Sequence, residues 1–185
     1  MIADRWKIAL HESGHAVSAI VLGGKCNGLV VFADGEGGVA DVDELLGSRD
    51  AFMVAAGPRA ESLAAEYPVP NVAIVEQIVS VDTLENLPIF SSSPHLACAM
   101  ARTPETRKHS DSDDRRIALW AISGNEDSPE SWAGRVAHAK RVAAEIVERN
   151  AATIVRVATA LFERGSLCRD EITELLTKSN EGKRT

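Results

Sequence analysis

Apolar positions crowd the first two dozen residues at helical spacing. Trp6, Ile8, Ala9 and Leu10 lead into a polar cluster, and Ala16, Val17, Ala19, Ile20, Val21 and Leu22 follow it. The pattern predicts a mostly buried helix that starts near Asp4 and stops at Gly23-Gly24. The run Leu29 to Phe32 reads as a short strand, residues 33–38 as a turn, and Val39 to Val42 as the returning half of a hairpin. Ser48 is placed to cap a second helix through Phe52, Met53, Val54 and Ala56, continuing to Ala60, Leu63 and Ala64. Gly57-Pro58 predicts a kink or a restart within it, because proline removes a backbone donor.

Beyond the prolines Pro68 and Pro70 the pattern loses definition. The stretch 72–81 suits a buried helix or a strand equally, and 82–110 offers only a short helix around Leu96 to Arg102. Order returns at Ser110 to Asp114, a helix start in which serine and aspartate meet unpaired amides. Ile117, Ala118, Ala121 and Ile122 form its buried side. Ser128-Pro129-Glu130 opens a long helix with apolar positions from Trp132 to Ile146 and from Ile154 to Phe162, closed by Gly165. A last short helix is expected from Arg169 to about Thr177, followed by a polar tail, 179–185. The resulting class is mainly α (α+β): a small β-hairpin or sheet with a C-terminal helical bundle. One domain is expected over 1–185, with 1–125 forming the metal-site portion and 126–178 the C-terminal helical portion.

Composition narrows the function. Aromatics make up only 4%, so the core must come from Ala, Val, Ile and Leu, with Trp6, Trp120 and Trp132 as packing anchors. A net charge of -7 and short basic clusters argue against nucleic acid as a partner. Cys26, Cys98 and Cys168 are widely spaced and fit reduced thiols in a cytoplasmic setting. No run approaches the length of a membrane span, so a soluble, unprocessed chain without membrane insertion is expected.

The polar cluster inside the first helix carries the chemistry. His11-Glu12-Ser13-Gly14-His15 sets two imidazoles one turn apart on one helix face, with a carboxylate beside the first. Two buried histidines next to a glutamate are costly without a shared partner. Zn2+ suits the donors, and a catalytic zinc site takes three protein ligands with one position open. His11 and His15 are two; by chemistry the third could be His95, His109, Asp111, Asp113, Asp114 or His138, with the acids at 111–114 favoured because they begin a helix. Glu12 would serve as the base.

Several stretches together resemble the FtsH-type (M41) zinc peptidases. His11 to Val17 is similar to that family's HEAGHA element, Ala56 to Glu61 to its GGRxAE segment, and Ser112 to Ala118 to its SNDxxxA segment. The run Ala144 to Ile172 is similar to its closing helical unit. The resemblance implies a stand-alone, zincin-like peptidase domain without the family's ATPase module or membrane segments. His11, His15 and Asp114 would then be the metal ligands, Glu12 the catalytic base, and Asp113 would stand where that family has asparagine. Function follows as a zinc-dependent endopeptidase acting on unfolded or flexible polypeptides. A separate ATPase unfoldase and homo-oligomeric assembly are possible partners, and a catalytically weak binding or regulatory module is the alternative. Arg59 and Glu61 are read as a candidate ion pair, and Gly57, Ala60 and Ala64 as helix contacts.

Overall fold

The computed structural model describes residues 2–32, 37–43, 45–72, 109–123 and 128–181. Residues 33–36 of the expected turn, the ambiguous stretch from 73, the short helix near 96–102, His95 and Cys98 lie outside the described residues, as do the side chains of His109 and Asp111.

Helix α1 (Ile2–Val21) runs through the middle of the molecule and is buried almost continuously from Ala9 to Ala19. It ends where the sequence pattern places its stop, with Gly23 at φ 88. Strands β1 (Cys26–Val31) and β2 (Gly38–Val42) pair antiparallel, with Leu29 opposite Ala40 and Val31 opposite Gly38. This is the expected hairpin. A third strand, β3 (Ser166–Cys168), joins the other edge of β1, giving the antiparallel order β2-β1-β3. As the middle strand, β1 buries Leu29, Val30 and Val31, consistent with an unbroken apolar run rather than alternation.

Helix α2 (Ser48–Glu61) departs from expectation twice. Ser48 is its first helical residue rather than its cap, a place taken by Gly47 at φ 62. The helix also continues through Gly57-Pro58 without a restart and tightens into a 3-10 turn over Ser62–Ala65. Packing explains the continuity. Met53, Val54, Ala56, Gly57 and Ala60 are all buried, so tertiary contact offsets the hydrogen bond that Pro58 cannot donate. The crossing with α1 is very close: a Cβ on Gly14 would stand 2.6 Å from Ala60 Cβ and 2.8 Å from the Ala56 carbonyl oxygen.

Helix α3 (His109–Ile122) turns Ile117 and Ala121 into the core and packs against α2 and α4. Helix α4 (Pro129–Arg164) is continuous over 36 residues, about 54 Å at the α-helical rise. Both of its ends match the sequence reading. Ser128 accepts from the Ser131 amide, Pro129 occupies the first turn, and Gly165 closes the helix in the left-handed region at φ 79. That glycine turns the chain directly into β3, and the Val31 amide donates to its carbonyl at 2.8 Å. Helix α5 (Arg169–Glu181) then runs past the expected stop near Thr177 and buries Ile172.

The core is built as the composition requires, from Ala, Val, Ile and Leu around a few large side chains. Trp6 is its main anchor. The ring meets Phe162 edge to face at 5.8 Å, and its Nε1 donates to the Tyr67 carbonyl at 2.9 Å. Cys26 and Cys168 are free thiols, and burial pushes the Cys26 thiol up to about 12. The molecule is therefore mainly helical, with a small three-stranded sheet and a helical C-terminal part. Among the described residues, no helix is long and apolar enough to cross a membrane.

Candidate metal centre

Helical spacing places His11 and His15 on the same side of α1, and α2 holds both rings from behind. His11 Nδ1 lies 2.7 Å from Glu61 Oε1, and His15 Nδ1 lies 2.9 Å from the Met53 carbonyl oxygen. A carbonyl oxygen only accepts, and an ionised carboxylate only accepts, so both Nδ1 atoms carry the proton and donate. In the neutral rings each Nε2 is thereby left with a bare lone pair.

Those two lone pairs face each other. His11 Nε2 and His15 Nε2 are 3.0 Å apart, with the ring planes nearly perpendicular. Asp113 Oδ2 closes the triangle at 3.0 Å from His11 Nε2 and 3.3 Å from His15 Nε2. All three residues are buried, and Asp113 Oδ2 has no hydrogen-bond partner among the described residues. Three acceptor atoms converging inside a protein repel one another unless something positive lies between them. Donors at about 2.0–2.1 Å from a tetrahedral zinc ion stand about 3.3 Å apart, close to the separations found. His11, His15 and Asp113 therefore form a compact cluster able to hold a divalent metal. The two-imidazole, one-carboxylate donor set fits zinc.

The charges respond to this proximity. Burial disfavours protonation of His11, yet the carboxylates of Asp113, Glu61 and Glu12 outweigh it and push the ring up to about 10. Burial would raise the Asp113 carboxyl, but His15 and His11 hold it well below the usual carboxylate range. A proton in the metal-free site thus takes the position the cation would neutralise.

Asp114, expected as the third ligand, does not reach the histidines. Consecutive helical residues differ by about 100° around the axis, so only one of two adjacent aspartates can face α1. Asp113 takes that direction. Asp114 points outward and pairs with Lys140 of α4 at 3.1 Å. His138 lies apart too, with its ring 5.5 Å from Phe52 and Arg141 at its Nδ1.

Glu12 is buried beside the start of β2, where Gly38 leaves it room: a Cβ on Gly38 would come 2.7 Å from Glu12 Cγ. Glu61 is the participant that sequence reasoning missed. The candidate Arg59–Glu61 pair does not form, because Arg59 reaches Glu148 at 2.8 Å while Glu61 turns inward to His11. The available signal was the segment Ala56 to Glu61 itself, whose helical continuation past Pro58 carries Glu61 to the histidine.

The fold and cluster define a helical domain with a buried His-His-carboxylate centre suited to a metal ion. Residues 3–66 match the family model described as Peptidase M50B-like. Comparison with curated proteins gave no significant match. That match is to the M50B-like model and not to the FtsH-type, M41 family that the sequence stretches resemble, which overturns the M41 expectation. Two histidines one turn apart with Gly14 between them suit the close crossing of α1 and α2, and so short a pattern does not by itself single out one family. The matched segment contains His11, Glu12, His15, Met53 and Glu61, and Asp113 comes from beyond it.

Proposed function

We propose that this chain is a zinc-dependent endopeptidase with a zincin-like arrangement, in which His11, His15 and Asp113 hold the metal and Glu12 moves the proton. The observation that carries the reading is the convergence of His11 Nε2, His15 Nε2 and Asp113 Oδ2 within 3.3 Å of one another in a buried pocket of acceptors. A bound zinc ion supplies Lewis-acid polarisation of a water and of the peptide carbonyl. Glu12, next to His11 in sequence, takes the proton of the attacking water and returns it to the departing amine. Asp113 offsets one unit of the ion's charge, and Glu61 and the Met53 carbonyl keep the two rings in the donor tautomer.

A flexible polypeptide is the proposed substrate, and burial supports that choice. His11 and Glu12 are each only 2% exposed, so an extended, flexible stretch of polypeptide suits the approach and a folded surface does not. The same burial favours a second reading, a metal-holding binding or regulatory module with no turnover.

The deciding experiment combines elemental analysis of zinc-reconstituted protein with turnover of a diverse unstructured peptide library, for wild type and Glu12→Gln. The expected outcome is about one zinc per chain in both and cleavage by wild type alone. Zinc without cleavage by wild type selects the binding module. Wild type that stays metal-free after reconstitution overturns both readings.

A further inference from the structure

We infer that Glu61 is a positioning residue for the metal, acting through His11 by its negative charge and its reach; the inference rests on the metal reading above. The two imidazoles are held unequally. His15 leans on a neutral backbone carbonyl, whereas His11 donates to a carboxylate at 2.7 Å. A charge-assisted hydrogen bond of that length fixes the ring plane and increases electron density at the opposite nitrogen, strengthening it as a donor. Glu61 is also delivered with little freedom. It is the last residue of α2, one turn beyond Gly57, and Gly57 abuts both histidine rings. Its side chain is 38% exposed and lines a pocket of about 190 Å³ with Asp4, Lys7, Ile8 and His11 itself, so the contact between carboxylate and ring lies at the wall of that pocket.

The test compares zinc affinity, by competition with a chromophoric chelator at one pH, for wild type, Glu61→Ala, Glu61→Gln and the control Glu148→Gln. Glutamine still accepts from His11 Nδ1 but carries no charge, so it isolates the electrostatic part. Glu61→Ala should weaken zinc binding roughly 10–100-fold, as loss of a ligand-orienting partner does, with Glu61→Gln between it and wild type. Glu148→Gln should bind as wild type. In proton NMR of the zinc-loaded protein, the His11 Nδ1–H signal should move upfield and exchange faster in Glu61→Ala, while that of His15 stays in place. A purely structural role would not move one ring selectively. Should Glu61→Ala fail to fold, Glu61→Gln decides. Affinity and His11 signal equal to wild type in the folded variants overturn the inference, whereas zinc-free wild type overturns the metal reading itself.

Discussion

Gly57 of α2 lies against the imidazole of His15, so close that a methyl group there would overlap the ring and stand 2.8 Å from His11 Nε2. The candidate metal site is therefore shaped by an absent side chain as much as by its potential donors. Gly57→Ala should cost about 1–3 kcal/mol through overpacking and should lower zinc occupancy in parallel. Thermal unfolding together with metal analysis checks this, and an alanine variant with full zinc content would show that α2 can retreat without disturbing the rings.

The neighbouring aspartates separate cleanly. Loss of Asp113 in Asp113→Ala should weaken zinc binding by more than the roughly 100-fold upper range seen when a partner merely orients a ligand. Asp114→Ala removes an exposed pair with Lys140, worth about 0–1 kcal/mol, and should leave zinc affinity unchanged. Equilibrium competition on both variants distinguishes them; equal losses would mean that α3 rotates to offer either carboxylate.

Stability of the metal-free protein should depend on pH through His11. Its folded value, about 10, lies above the ordinary 6.5. The stabilisation is thus fully present below about 6.5 and is lost as pH rises through about 10. Asp113 acts in the opposite sense: its depressed value contributes stability above the ordinary 3.8, lost as pH falls through the folded value. Urea midpoints of chelator-treated protein should therefore fall on the alkaline side of neutrality, and His11→Ala should flatten that limb.

A fourth expectation concerns the junction of β3 and α5. Glu171 accepts from the Cys168 amide at 2.8 Å and meets Arg164 at 2.9 Å, a carboxylate reaching back over the helix start. Glu171→Ala should cost about 0.5–1 kcal/mol, at the lower end because the pair is half exposed. Burial opposes its ionisation, but the Cys168 amide and Arg164 together outweigh burial and lower the carboxyl overall, so this contribution is present above the ordinary 4.5 and fades in acid. Thermal unfolding of the variant at neutral and acidic pH measures both effects.

What was legible in the sequence was whatever local chemistry decides. Ser128, Pro129 and Gly165 fix both ends of α4 because capping and left-handed closure involve only neighbouring residues. The hairpin and the histidine pair follow equally short-range periodicity. Four features escaped for non-local reasons. The three residues of β3 are too few to display a strand period, and only pairing with β1 makes them one. The continuity of α2 past Pro58 depends on contacts with α1. The choice of Asp113 over Asp114 depends on how α3 is rotated against the histidines, which no property of the adjacent acids encodes. Glu61 was misread for a related reason: its partner is 50 residues away, and the nearer arginine is engaged elsewhere.

The seam of α1 and α2 extends the recognisable signature well past five letters. Gly14 admits Ala56 and Ala60, Gly57 admits the two rings, and Glu61 follows one turn later. Sequence drift that preserves this centre has to leave positions 14 and 57 bare while freely exchanging the surface around them. A search template joining the histidine pair to a distant glycine and a glutamate four residues after it would accordingly reject chance occurrences that the short motif alone admits.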